Sequence, residues 1–313
     1  MPGCYTEWLA RAVRAGQAVV RQPYSGEARQ VDLAPDRVHT MVLLSKDFGP
    51  LLRDEHGLRT ALEQYEQVCC QLTVTGLGGS RLEPGVPPPE VVLAQLGPLV
   101  AWLGAKRLTV RFDPIVHWVE GDRVVSNLDR ADAVLAACAR AGLSSVRLSF
   151  ATVYAKMKGR GVEWHDPSPG EKLAMAADLV MRAKALGLSL LGCCQPELAP
   201  AGVIPAGCID GAELSRLHPR RLPAPTGKDR GQRAACRCTP SVDIGSYDMR
   251  CPNGCLYCYA NPRRGRHGDE ERGRHGDELG AVSPSPRHPL SPSPPVTPGS
   301  PRASEERVPR AAG

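Results

Sequence analysis

Three cysteines near residue 255 are the residues of this chain that most directly indicate a chemistry. Cys251, Cys255 and Cys258 form a CxxxCxxC pattern, and Tyr257 directly precedes the third cysteine. Three thiolates at this spacing can bind three irons of a [4Fe–4S] cluster and leave the fourth iron open to another ligand. Zinc also binds thiolates, but a structural zinc site needs a fourth protein ligand and usually contains paired CxxC motifs. The spacing therefore favours the cluster and keeps zinc as the alternative.

Further cysteines predict a second metal site, because they lie in loops near the triplet or at the end of a predicted strand. The residues of this predicted site are Cys194, Cys208, Cys236 and Cys238. Four thiolates can hold either an auxiliary [4Fe–4S] cluster or a zinc ion. The alternative is that Cys193 and Cys194 are core residues and that the CxC pair binds no metal. The cysteines on apolar segments are expected to be small core residues; these are Cys4, Cys69, Cys70 and Cys138.

The composition limits where the protein acts and what it binds. The chain has 313 residues, twelve cysteines and a formal net charge of +6. Its first residues lack a secretory signal pattern, and no uninterrupted apolar run is long enough to span a membrane. We therefore expect a cytoplasmic protein whose clustered cysteines bind metal rather than form disulfides. The charge is weak evidence for a nucleic-acid partner, because no stripe of basic and aromatic residues accompanies it.

Strand-like and helix-like segments alternate over residues 1 to about 220 and must position these cysteines. Ser168-Pro-Gly-Glu171 is a capping box that opens a helix running to about Leu186. A second helical face includes Leu128 and Cys138, with Ser126 or Asn127 as its N-cap. This alternation predicts an α/β fold with a parallel sheet, and strands that end in polar residues favour a partial (β/α) barrel. The six predicted strands are Ala18–Val20, Val38–Leu44, Cys69–Thr75, Arg107–Phe112, Ser145–Phe150 and Leu188–Cys193.

Two regions follow this barrel-like domain. Residues 221–262 are rich in loops and cysteine and are expected to bind the cluster. Residues 263–313 contain the repeats Gly265–Glu270 and Gly273–Glu278, followed by Ser/Pro-rich sequence with almost no large apolar side chains. Such a segment cannot bury enough apolar surface to offset its ordering entropy, so a disordered tail is expected there.

Polar side chains follow several predicted strands and suggest a substrate site. Lys46, Arg111 and Asp113 lie at two strand ends, and Ser149 lies at a third. Each alone is typical of a loop ion pair. Because the carboxyl ends of parallel barrel strands line the active site, we predict that Lys46, Arg111 and Asp113 are catalytic.

A glycine-rich segment suggests where a cofactor would bind. Gly76-Leu-Gly-Gly79 followed by Glu83-Pro84 is similar to a phosphate-binding loop and to the glycine-rich strand that contacts the methionine amine in radical-SAM enzymes. No helix start follows it directly, which weakens the phosphate interpretation. We predict that Gly78, Gly79 and Glu83 contact the cofactor.

The aromatic residue before Cys258 strengthens the resemblance to radical-SAM enzymes. That resemblance implies that S-adenosylmethionine binds the open iron of the cluster. An electron from a donor such as ferredoxin or flavodoxin would then cleave it to a 5′-deoxyadenosyl radical, which the protein must shield from water. The substrate is unknown. The alternative function is a zinc-stabilised binding protein, with nucleic acid as one candidate partner.

Over residues 4–262 the chain resembles the family catalogued as domain of unknown function 1848, which looks like a radical-SAM-type barrel with its cluster motif at the C-terminus. Family members usually begin with a further strand ending in Arg-Arg-Thr-Asp, which would precede Cys4 and is absent here. The resemblance also implies an aspartate near Thr152, which is missing, and the sequence after Asn261 is unlike the family. The resemblance rests on Tyr5–Trp8, Arg21–Tyr24, Leu82–Pro84, Arg111–Ile115, Ser149-Phe150 with Tyr154 and Lys156, Cys208–Gly211, Lys228–Arg233 and Asp243–Tyr247 leading into Cys251–Asn261.

Overall fold

The computed structural model describes residues 3–21, 26–245, 249 and 251–258. The tail expected to be disordered, residues 263–313, lies outside the described residues. The α-helices are α1 (Thr6–Arg14), α2 (Gly49–Leu52), α3 (Leu58–Leu62), α4 (Pro89–Leu93), α5 (Leu96–Leu103), α6 (Ala131–Arg140), α7 (Pro169–Ala185) and α8 (Gly211–Leu217). The strands are β1 (Gln17–Arg21), β2 (Ala28–Asp32), β3 (Met41–Ser45), β4 (Val68–Thr73), β5 (Leu108–Ile115), β6 (His117–Glu120), β7 (Arg123–Ser126), β8 (Ser145–Phe150), β9 (Trp164–His165), β10 (Ser189–Cys193) and β11 (Ile204–Ala206).

Six parallel strands form the main sheet, in the order β3-β4-β5-β8-β10-β11. Their order in space is therefore their order along the chain. Right-handed crossovers that always step in the same direction place the connecting helices on one face of a sheet. A doubly wound sheet reverses direction instead. The observed order is that of a (β/α) barrel opened between β11 and β3, and the predicted parallel α/β fold is confirmed.

The two faces of this sheet differ in polarity. Side chains that are paired in register lie on the same face, and one such row crosses four strands. The row consists of Thr73, Arg111, Arg147 and Leu191. Because successive side chains alternate between faces, Val110 and Val146 point the other way, where they are fully buried in the main core. We call the face that carries Arg111 and Arg147 the inner face. It is the polar face on which a barrel-like protein would bind a substrate.

One predicted strand does not belong to the parallel sheet. Ala18–Val20 lies in β1, which pairs with β2 as an antiparallel hairpin. Side chains of β1 alternate between exposed and buried, as in a strand with one solvated face, whereas strands of a parallel sheet are buried on both faces. The sixth parallel strand is instead β11, which is only three residues long and has a proline at its centre. A segment so short and proline-containing gives no strand signal in the sequence.

Both predicted helix starts are confirmed. The Ser168 hydroxyl accepts a hydrogen bond from the Glu171 amide at 3.3 Å, and the Glu171 carboxylate accepts one from the Ser168 amide at 2.8 Å, which completes the capping box of α7. Ser126 Oγ accepts a hydrogen bond from the Leu128 amide at 3.2 Å, so Ser126 is the N-cap. A 3₁₀ turn over Asn127–Arg130 then leads into α6.

A second, smaller apolar cluster lies beside the short antiparallel sheet β7-β6-β9. Its buried members are Leu77, Leu82, Val86, Val116, Trp118, Met157, Val162, Cys255 and Tyr257. The cluster therefore joins the triplet segment to the insertion that follows β5. Within the ranges that the structure describes, no helix is long and apolar enough to cross a membrane.

Candidate metal and substrate site

The triplet segment, residues 251–258, is fixed to the loop that follows β4. The Gly85 amide donates to the Asn253 carbonyl at 3.0 Å, and the Leu256 amide donates to the Leu82 carbonyl at 3.0 Å. A Cβ at Gly85 would lie 2.4 Å from the Pro252 carbonyl oxygen, so only glycine permits this close approach. The cysteine motif is therefore held by backbone contacts as well as by its buried side chains.

A buried carboxylate lies directly beneath the triplet segment. Glu83 is 1% exposed, and its Oε1 accepts from Lys46 Nζ at 2.9 Å, from Thr75 Oγ1 at 2.6 Å and from the hydroxyl of Tyr257. The ammonium of Lys46 also lies 5.5 Å from the centre of the Tyr257 ring, within range of a cation–π interaction. Two predicted site residues, Lys46 and Glu83, thus form a buried ion pair. In this structure the pair anchors the aromatic residue of the cysteine motif.

The predicted cofactor-binding glycines stabilise the same loop. The Gly79 amide donates to the Val86 carbonyl at 2.8 Å, and a Cβ at Gly78 would lie 2.0 Å from the carbonyl oxygen of Pro87. Both glycines therefore pack against the loop that supports the triplet. Their predicted contact with a cofactor stays a prediction.

Cys4 lies against the triplet, which the sequence did not predict. Its thiol hydrogen-bonds to Cys251, and its Sγ lies 3.8 Å from Asn253 Oδ1. This hydrogen bond raises the pKa of Cys4. The same hydrogen bond lowers the pKa of Cys251 to about 6. Burial raises the pKa of Cys255 to about 12, opposed by the positive charge of Lys46. The local sequence carries no signal for this contact, since Cys4 precedes the whole sheet.

The central strand ends carry a linked polar group on the inner face. Arg111 and Asp113 form an ion pair, and the Ser149 hydroxyl donates to the Asp113 carboxylate. Burial lowers the pKa of Arg111, but the nearby charge of Asp113 and the thiols of Cys208 and Cys193 outweigh that effect and raise it. The guanidinium therefore keeps its positive charge beside the second group of cysteines. The structure brings together the predicted residues Arg111 and Asp113. They lie on β5, whereas Lys46 of the other ion pair follows β3, two strands away in the sheet.

A second buried guanidinium on this face was not predicted. Arg147 is 4% exposed, lies 3.4 Å from Glu213 and donates to the Cys208 carbonyl at 3.4 Å. Its signal in the sequence is the alternation of Ser145-Val-Arg147-Leu-Ser149-Phe, in which every second residue is polar. Such alternation in an otherwise buried strand indicates a polar interior face.

Three of the four cysteines predicted for the second metal site are in contact in the structure. The Cys208 amide donates to Cys238 Sγ at 3.2 Å, and the Cys238 amide donates to Cys236 Sγ at 3.4 Å. The sulfur nearest to Cys208 belongs to Cys193, at 2.9 Å, rather than to Cys194. The hydrogen bond to Cys208 lowers the pKa of Cys193.

Thiol contacts join Cys4 to Cys251 beside the triplet and Cys193 to Cys208 in the second group. In the described part of the chain, no three cysteine, histidine or carboxylate side chains converge on one point as metal ligands. The donor sets nevertheless fit soft metals, because each consists of thiols alone and each lies at the carboxyl end of the parallel sheet.

A buried histidine begins β6, where the chain passes from the main sheet to the antiparallel sheet β7-β6-β9. His117 is 7% exposed, and its Nε2 has no hydrogen-bond partner in the structure. Burial lowers its pKa to about 4, and the neighbouring His165 and Lys172 lower it further, while Glu171 and Asp166 act in the opposite direction. His117 is therefore neutral in the folded protein at pH 7.

We expect this histidine to make the protein acid-sensitive. The unfolded chain binds a proton on His117 near pH 6.5 and the folded chain only near pH 4, so between these values the unfolded state holds more protons. The free energy of unfolding should therefore fall as pH decreases through this window, by up to about 1.4 kcal/mol per pH unit. Urea titrations from pH 7 to pH 4 should show a shallower decline in His117→Gln. The exposed His56→Gln variant should follow the wild type.

Comparison with known proteins gives a family and matches among solved structures. The family model described as "Domain of unknown function (DUF1848)" matches residues 1–260. No curated protein matches the chain. The crystal structure of a probable tagatose 6 phosphate kinase from Sinorhizobium meliloti 1021 is similar at 18% sequence identity and a TM-score of 0.29. The match covers 58% of this chain and 44% of the other, and at so low a score it indicates nothing about function.

Proposed function

The chain belongs to the DUF1848 family, and we propose that it is an iron–sulfur enzyme of the radical-SAM type. Cys251, Cys255 and Cys258 would hold a [4Fe–4S] cluster that binds S-adenosylmethionine. The observation that carries the proposal is the anchored triplet segment, which lies against residues that follow β3 and β4. In a barrel-like fold this is the end at which active sites form.

The residues around the triplet suit an anionic cluster. Such a cluster supplies the electron that cleaves the sulfonium bond of S-adenosylmethionine. Lys46 favours the thiolate forms of Cys251 and Cys255 through its charge, while Glu83 fixes the position of Lys46. Cys251 is exposed and Cys255 is buried. The motif therefore has one side open to an electron donor such as ferredoxin or flavodoxin and one side turned into the protein.

The inner face provides the surface for the unknown substrate. Three polar residues on β5 and β8 lie between the two groups of cysteines. Asp113 forms an ion pair with Arg111 and accepts a hydrogen bond from the Ser149 hydroxyl. In the proposed enzyme they orient the substrate by hydrogen bonds and charge. Gly78 and Gly79 support the loop that would face S-adenosylmethionine.

Anaerobic reconstitution with iron and sulfide tests this proposal. The wild-type chain should turn brown, bind about four irons through the triplet, and cleave S-adenosylmethionine once reduced. Cys255→Ala should lose these irons and the cleavage. Cys138→Ala, which removes a buried thiol from α6 far from the motif, should retain both. Wild-type protein that carries the full cluster and leaves S-adenosylmethionine intact would contradict the proposal.

The contact between Cys4 and Cys251 favours the alternative of a zinc-stabilised binding protein, because Cys4 would supply the fourth thiolate that a zinc site requires. The variant Cys4→Ser separates the two functions. A radical-SAM site needs only the triplet, so iron content and cleavage should persist in this variant. A four-cysteine zinc site should instead lose most of its metal, and the purified wild type should be colourless.

A further inference from the structure

A second group of thiols lies at the opposite edge of the sheet from the triplet. Cys193 ends β10, Cys208 follows β11, and Cys236 and Cys238 lie in the loop after α8. Cys193 Sγ lies 2.9 Å from Cys208 Sγ, and backbone amides donate to the sulfurs of Cys238 and Cys236. Cys238 also forms side-chain hydrogen bonds with Cys208 and with Cys236. These contacts place all four sulfurs in one connected group at the ends of β10 and β11.

The backbone brings these thiols together independently of the side chains. A Cβ at Gly207 would lie 2.7 Å from the carbonyl oxygen of Arg237, so the two segments pack as closely as glycine allows. The Thr239 amide donates to the Ile209 carbonyl at 2.9 Å, and the Asp229 amide donates to the Cys238 carbonyl at 2.8 Å. The group is therefore positioned by the fold.

The loop that carries the CxC pair lacks a core of its own. Residues 221–245 contain no helix or strand, and only Cys236 and Thr239 among them are buried. Apolar burial this small cannot offset the entropy lost when such a segment is ordered. A covalent or metal cross-link to β10 and β11 would supply the missing stabilisation.

We propose that Cys193, Cys208, Cys236 and Cys238 bind a structural zinc ion that fastens this loop to the sheet. Four thiolates complete a closed tetrahedral site and leave no position for a substrate. Sulfurs that share one zinc at about 2.3 Å lie about 3.8 Å apart, whereas the ligands of a cube bind different irons and lie further apart. The short contact between Cys193 and Cys208 therefore fits a single ion better than a second cluster. The four side chains do not converge on one point in the described structure, so zinc binding would require them to rotate.

The buried cations of the inner face suit this site. Arg111 is close enough to Cys193 and Cys208 for their charges to interact, and Arg147 donates to the Cys208 carbonyl. The Nε atoms of both guanidiniums are buried without a hydrogen-bond partner in the structure. A zinc ion with four thiolates carries a net charge of about −2, so the two guanidiniums would compensate it.

Metal analysis of a full-length triple-alanine variant tests the site. This variant replaces Cys251, Cys255 and Cys258 and so removes the triplet, whether or not the proposed function is correct. One zinc per chain should remain. In the same background Cys193→Ser should lose at least nine-tenths of it, and Cys194→Ser should retain it. Loss of zinc in Cys194→Ser with retention in Cys193→Ser would overturn the assignment of Cys193.

A second measurement does not depend on the folding of the Cys193→Ser and Cys194→Ser variants. Cobalt(II) added to the zinc-depleted triple-alanine variant should give the visible bands and the sulfur-to-metal charge transfer of a tetrahedral four-thiolate site. Zinc removal by a chelator should also make residues 221–245 cleavable by trypsin, and added zinc should restore protection. Absence of zinc and cobalt binding, iron in place of zinc at this group, or a Cys193–Cys208 disulfide in the purified protein would each overturn the proposal.

Discussion

Replacing Glu83 with alanine is expected to lower the free energy of unfolding by about 3–5 kcal/mol. The side chain is 1% exposed, and its loss leaves the ammonium of Lys46, which is 14% exposed, without its counter-charge. It also removes the acceptor for Thr75 and Tyr257. Urea unfolding checks the stability. Iron content after reconstitution should fall as well, because Tyr257 is part of the triplet segment.

Two variants control this prediction. Glu83→Gln keeps an acceptor oxygen and removes the charge, so it should lose less stability than Glu83→Ala. Glu55→Ala breaks the exposed ion pair with Arg53 and should change the stability by less than about 0.5 kcal/mol. Equal losses in Glu83→Ala and Glu55→Ala would show that the buried pair does not anchor the loop.

Replacing Asp113 with alanine is expected to cost about 3 kcal/mol, because the guanidinium of Arg111 is left buried without its partner. The double variant Arg111→Leu/Asp113→Leu removes both charges and should regain much of that stability. If the pair binds substrate, the double variant should nevertheless stay inactive once a substrate is identified. Asp132→Ala, which breaks an exposed pair with Arg182, should behave as the wild type. If the double variant has a free energy of unfolding as low as that of Asp113→Ala, the unpaired charge of Arg111 is not the cause of the loss.

The elements of the sheet could be predicted because their signals are local. β8 is an apolar run bounded by turns, and Ser168 and Glu171 identify the start of α7 by their spacing alone. The sequence prediction places Ala18–Val20 in the wrong sheet, because an apolar run does not show which strand it pairs with. β11 was missed because three residues around a proline lack a periodic pattern.

The candidate site was predictable only where its residues are neighbours in the sequence. The spacing of the triplet and the Arg111-Phe-Asp113 segment carry their signal locally. The contact of Cys4 with Cys251 depends on the tertiary fold. The placement of Cys193 rather than Cys194 beside Cys208 depends on strand register, which pairs Cys193 with Ala206. The burial of Glu83 similarly follows from packing that no local pattern encodes.

The docking of the triplet segment on the loop after β4 also bears on how the chain folds. Gly85 and Asn253 meet through a backbone hydrogen bond, although four of the six parallel strands, β5, β8, β10 and β11, lie between them in the sequence. Contacts of such long sequence separation form late, because a large loop must close first. Interactions absent from the folding transition state affect the unfolding rate more than the folding rate. We therefore expect the hydrogen bonds and ion pair of Glu83 to slow unfolding more than they speed folding, and so to lengthen the time for which the cysteine motif stays docked on the sheet.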